Sequence, residues 1–126
     1  MIRVKRIYEP LMKTDGLRVL VERLWPRGFT KSRAKVDLWL KDLAPSAALR
    51  TWFGHDPAKW PTFRRRYQAE LARYPDVVAR LRAKAAEGPV TLLFAARDER
   101  HNSAIVLREV LARGSPGTGD DRQRTA

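Results

Sequence analysis

The sequence predicts an α/β domain, a small, partly parallel sheet with helices packed on it. Three observations carry this expectation. Two short strand-like runs open the chain, Ile2 to Tyr8 with apolar and basic residues alternating and Leu17 to Val21 with little polar content. A third run, Val90-Thr91-Leu92-Leu93-Phe94-Ala95, is apolar almost throughout, as a strand covered on both faces reads. Between the second and third runs, apolar residues recur at helical spacing. The chain therefore passes between buried strands through helices, which is how α/β layers are built.

Each element has local reasons. Pro10 ends the first strand, and Asp15-Gly16 marks the turn into the second. Pro26 and Gly28 enforce a loop in Arg23-Leu24-Trp25-Pro26-Arg27-Gly28. Thr30 to Lys35 is polar and basic, and the alternating Val36, Leu38 and Leu40 form too short a pattern to assign. Ser46 can cap a helix over Ala47 to Phe53, with Gly54 ending it. Asp56 and Pro57 open the next helix, whose apolar face is Phe63, Tyr67 and Leu71. Pro75 is expected to break or kink it, because proline has no amide to donate. A further helix from Asp76 buries Val77, Val78, Leu81 and Ala85 and stops at Gly88-Pro89. After the third strand, Arg97 to Asn102 is an abrupt polar loop. Asn102 or Ser103 caps a last helix with a core face of Ile105, Val106, Val110 and Leu111, ending at Gly114. The expected organisation is one domain over 1–114 and a disordered tail over 115–126, which has no large apolar residue.

Composition narrows the function classes. At 126 residues the chain can bury one core. The absence of cysteine excludes disulfides, thiolate metal sites and cysteine catalysis. With two histidines and no paired His–carboxylate spacing, no metal is expected, and no cofactor is implied. No apolar run is long enough to span a membrane, so a cytoplasmic protein without a membrane partner is the expectation. The net charge of +12 points to an anionic partner. Residues 1–35 carry ten basic and three acidic side chains and residues 57–87 carry eight and three, whereas the tail is neutral. The surplus thus belongs to the folded body.

Ligands of α/β sheets gather at the carboxyl ends of parallel strands. Two polar loops follow strands here, Glu22 to Gly28 and Arg97 to Asn102. If their strands are parallel, both project from one edge. Arg23, Arg27 and Arg97 would bind an anion there, beside a helix N-terminus whose free amides favour negative charge. Trp25 would pack on a ring, and Asn102 serves either as ligand or as helix cap. Glu22, Asp98 and His101 are the candidates for moving protons, since imidazole titrates near neutrality. His55 lies between two helix signals, where a structural hydrogen bond would also account for it.

The stretches VKRIYEP, DGLRVLVERLWPRG, DLWLKDLAPSAALRTWFGHDPAKWPTFRRRYQAEL and VTLLFAARDERHNSAIVLREVL resemble the YeaO-like family, domain of unknown function 488, over residues 2–113. The resemblance implies a bacterial α/β domain and brings no assigned substrate or catalytic residue. WFGHDP is a family hallmark, so the resemblance adds Trp52, His55 and Asp56 to the candidate site, as wall or as helix connector. The family usually has Asp before RLWPRG, where this chain has Glu22 with one more methylene of reach.

Two functions compete on these grounds. One is a small anionic ligand, a nucleotide or phosphorylated metabolite, bound with or without catalysis. The alternative is non-specific nucleic-acid binding, with Arg64, Arg65 and Arg66 on phosphates. Against the alternative, no helix-turn-helix, zinc-finger or RNA-recognition pattern is present, and three successive arginines fan around a helix rather than line one stripe.

Overall fold

The computed structural model describes residues 1–113; the expected helix end at Gly114 and tail at 115–126 lie outside the described residues. Four strands form one sheet, β1 (Ile2–Arg6), β2 (Leu17–Leu20), β3 (Leu38–Trp39) and β4 (Val90–Phe94). Their order is β1-β4-β2-β3 and every pairing is parallel, so the sheet is parallel throughout rather than in part. Strand β4 holds the centre and is buried at all five positions, as its uninterrupted apolar run required.

One face of the sheet carries the helices α2 (Ala47–Phe53), α3 (Trp60–Leu71), α4 (Pro75–Glu87) and α5 (Ser103–Arg113). Val19, Val21, Val90, Leu92 and Phe94 point into this layer and meet Phe53, Phe63, Tyr67, Leu71, Leu81, Val106 and Leu111. The other face is covered by chain with little regular structure, of which the four-residue helix α1 (Lys31–Ala34) is a part. There Ile7, Leu20 and Leu93 pack under Trp25, Phe29, Val36 and Trp39.

The helix termini follow their sequence signals. The Ser46 hydroxyl accepts the Leu49 amide, and Gly54 ends α2 in the left-handed conformation at φ 55°. Asp56 accepts the Ala58 amide and, with Pro57, opens a 3-10 turn that runs into α3. Pro75 neither kinks nor breaks a running helix: α3 has already ended at Leu71, and Pro75 is the first residue of α4, where a missing amide costs nothing. On α5 the buried side chains are Ala104, Val106, Leu107 and Leu111, with Ile105 only half-buried. The short alternation at 36–40 resolves as β3, extending the sheet beside β2.

Polar groups fill the amino-terminal part of the thinly covered face. Asp15 and Arg18 are each only 3% exposed. Arg18 donates to Asp15 at 2.5 Å and to the carbonyls of Ala34 and Lys35. Lys5 reaches the same carboxylate at 3.0 Å, and the Met12 amide donates to it as well. Burial raises the Asp15 pKa, but the Met12 amide, Lys5 and Arg18 outweigh burial and leave it below the ordinary value. Next to it, Gly16 has φ 64° and ψ −134°, a conformation open to glycine alone. A Cβ there would sit 2.2 Å from the Pro89 carbonyl oxygen. That oxygen accepts the Leu17 amide, and the Thr91 hydroxyl donates to the Asp15 carbonyl, so the starts of β2 and β4 are clamped together.

Candidate functional site

Parallel pairing of β2 with β4 brings the two polar loops to one edge of the sheet. A cleft of about 430 Å³ opens between their carboxyl ends, the N-terminus of α5 and the end of α2. Glu22, His55, His101 and Asn102 line it, as does Arg23. Arg50 of α2 lines it too and makes no ion pair or hydrogen bond with its side chain among the described residues. Phe53 and Phe63 supply its apolar wall.

Glu22 follows β2, and its Oε2 accepts the Ala95 amide at 3.1 Å, so it bridges the ends of β2 and β4. Burial raises its pKa, opposed by the Ala95 amide and by the nearby Arg50 and His55. Arg23 lines the cleft and donates through Nε and Nη2 to the carbonyls of Pro45 and Ala44 at 3.2 and 3.1 Å, which ties it to the segment before α2.

Asp98 does not line the cleft; it orients a residue that does. Its Oδ2 lies 2.9 Å from His101 Nδ1, and its Oδ1 accepts the amides of Arg100 and His101. The Arg100 amide and the His101 ring, with the His101 amide, lower the Asp98 pKa against the opposing effect of burial. An ionised carboxylate can only accept, so the Nδ1 of His101 is the donor of this pair. The edge of the His101 ring meets Trp60 with centroids 5.1 Å apart, which fixes the ring on its second side. Asn102 is the cap of α5: its Oδ1 accepts the Ile105 amide and its Nδ2 donates to the Asp98 carbonyl. The cap reading of Asn102 is thus met by its geometry.

His55 is exposed and has φ 57°, a left-handed conformation that a side chain makes costly. It follows Gly54 in the same region, so two left-handed residues in succession turn the chain out of α2 and set His55 at the cleft rim. Strain of this kind costs on the order of 1–3 kcal/mol and clusters at functional positions.

Besides Asp98, five expected residues do not line the cleft: Asp56, which caps the turn before α3, and Trp25, Trp52, Arg27 and Arg97. Trp25 belongs to the opposite face of the sheet, its indole NH donating to the Phe29 carbonyl and its ring edge-on to Trp39. Trp52 packs between Lys59 and Arg66, which lie 5.1 and 4.4 Å from its ring. Arg27 and Arg97 are exposed and do not line the cleft. Conversely, Arg50 was not anticipated, because its helix was legible only through the Ser46 and Gly54 caps. The available signal was its place in the same short segment as WFGHDP, two residues before Trp52.

A larger hollow of about 810 Å³ lies beside Met1 and Ile2, between α4 and α5. Five alanines line it, and Arg82 in its wall is engaged with the carbonyls of Leu111 and Val110. Size favours this hollow, but it lies by the start of β1, away from the strand ends where the two polar loops meet. Among the described residues no group of three or more His, Cys, Asp or Glu could hold a metal ion, and no helix is long and apolar enough to cross a membrane.

Comparison with known proteins bears on the whole chain. The family model described as the inactive DUF488-N3 subclade matches residues 1–124. The uncharacterised protein YeaO of Escherichia coli K12 is 42% identical over 110 residues, covering 87% of this chain and 96% of that protein. The uncharacterised protein Rv3073c of Mycobacterium tuberculosis is 41% identical over 110 residues, 87% of this chain and 92% of its own. No solved structure matches. With its parallel sheet, its strand-end cleft and this breadth of similarity, the chain belongs to the YeaO-like family of DUF488 domains.

Proposed function

We propose that the strand-end cleft binds a small anionic ligand, of the class of nucleotides and phosphorylated metabolites, without turning it over. The supporting observation is the convergence of Arg50, His55 and His101 on one space beside the N-terminus of α5. A guanidinium without a protein partner is a ready fork for phosphate or carboxylate, and the free amides at the start of a helix add to the attraction. The description of the matching subclade as inactive favours binding over catalysis. A cytoplasmic location is part of the same proposal.

The three successive arginines of α3 favour nucleic acid less. Arg64 pairs with Glu109 at 2.9 Å, Arg65 donates to Thr62 and Arg66 lies over Trp52, so the three are spent in different places. The test is a thermal-shift and calorimetric screen with phosphate, sugar phosphates and nucleotides, repeated with Arg50→Ala. Binding by the wild type that falls at least about tenfold in the variant is expected, the loss of one charge-assisted contact. Binding that is equally strong in Arg50→Ala, or absent for all the compounds, refutes the assignment.

A further inference from the structure

We infer that the ligand of this cleft carries a hydroxyl beside its anionic group, as a sugar phosphate does, and that Glu22 is the residue that selects for it. The inference rests on the anion-binding role proposed above and adds the chemical class of the ligand's neighbouring group. Glu22 lines the same cleft as Arg50, His55 and His101. Its Oε2 is occupied by the Ala95 amide, while Oε1 accepts no hydrogen bond among the described residues. Among the described residues no cation pairs with it: the adjacent Arg23 donates to the carbonyls of Ala44 and Pro45, and Arg50 and His55 are near enough to act on its charge without bonding to it. A ligand that displaces water from a half-buried carboxylate and leaves one oxygen unsatisfied meets a desolvation cost. Beside an anion-binding group the carboxylate would also repel a bare phosphate. A ligand hydroxyl donating to Oε1 satisfies that oxygen and offsets the repulsion, whereas a ligand without a donor meets both penalties in full.

The same side chain therefore acts as a positive selector for polyhydroxylated anions and a negative one for simple anions. Buried polar groups discriminate strongly in this way, because the wrong ligand leaves them unpaired. The probes are ribose 5-phosphate and methyl phosphate, which share the phosphomonoester and differ in the hydroxyls. Titration calorimetry of the wild type is expected to give at least about tenfold tighter binding of ribose 5-phosphate, the value of one hydrogen bond to a charged acceptor. In Glu22→Gln the preference is expected to fall below about threefold, because the lost repulsion favours both probes alike while the sugar alone loses its charged acceptor. Glu22→Asp, which retains the charge, should keep the sugar preference, with circular dichroism confirming that both variants are folded. Equal binding of the two probes by the wild type, or an undiminished preference in folded Glu22→Gln, overturns the inference while leaving the anion site standing. Failure of both probes to bind overturns the anion site and this inference with it.

Discussion

Replacing Asp15 with alanine should test whether the polar cluster on the thinly covered face holds the sheet together. Asp15 is 3% exposed and is shared by Arg18 at 2.5 Å and Lys5 at 3.0 Å. Removing it leaves the Arg18 guanidinium buried with only the Ala34 and Lys35 carbonyls as partners. Truncating one member of such a buried pair costs about 3–5 kcal/mol, chiefly through the stranded charge. With a urea dependence of about 1.5 kcal/mol/M, the unfolding midpoint should fall by about 2–3 M. The four tryptophans give a fluorescence signal for the transition. Adding Arg18→Met to Asp15→Ala should restore part of the loss, since the stranded charge goes with it. The pH dependence has a definite sign. The folded pKa of Asp15 lies below its unfolded value, so its contribution is complete above about pH 4 and is lost as pH falls through the folded pKa. The acid limb of the stability curve should therefore flatten in Asp15→Ala. A midpoint shift below about 0.5 M at neutral pH, less than 1 kcal/mol at that slope, would refute the reasoning.

Other substitutions probe separate features. Gly16→Ala places a Cβ 2.2 Å from the Pro89 oxygen at φ 64°, and should destabilise by about 3 kcal/mol or more in thermal unfolding. Tyr67→Phe leaves the Leu43 carbonyl without its buried donor and should cost about 1–2 kcal/mol, read by urea titration. His55→Gly relieves a left-handed side chain and should hold or raise the melting temperature while weakening ligand binding, a separation that calorimetry and thermal melts can measure together. Glu22 has a raised folded pKa, so the folded state binds its proton more tightly and stability falls as pH rises through that value. Glu22→Gln should accordingly gain on the wild type between pH 4 and pH 8 in parallel melts.

Much of the fold was legible because its signals are local. Ser46, Gly54, Asp56 and Asn102 each cap or end an element through bonds within three or four residues. The periodicity of Phe63, Tyr67 and Leu71 marked a helix face that is indeed buried. Pairing partners are not local. That every strand is parallel, and that β3 exists at all, depends on Leu38 and Trp39 meeting Val19 and Leu20 across the sheet. The site divides along the same line. Parallel strands bring the two loops together, and His101, Asn102 and Glu22 follow from that alone. The directions of side chains within a loop do not follow: Trp25 folds over the far face, and Arg23 is drawn to the Ala44 and Pro45 carbonyls. Apart from its nearness to WFGHDP, Arg50 carried no signal of its own, because the sequence of α2 does not indicate which neighbour the helix will face.

The central position of β4 orders events in time as well as in space. Ile2 pairs with Val90 and Leu17 with the same residue, so β1 and β2 share no bond until β4 stands between them. During synthesis at about 5–20 residues per second, the first strand must wait several seconds or more for its only neighbour. Until then its edges are open to any other extended chain nearby. Among the described strands β1 is thus exposed longest, and β4, the keystone of the sheet, is the last of the four to be made. Alternating Arg3, Lys5 and Arg6 with the apolar residues of β1 keeps that waiting strand charged, which guards it against pairing with its own copies.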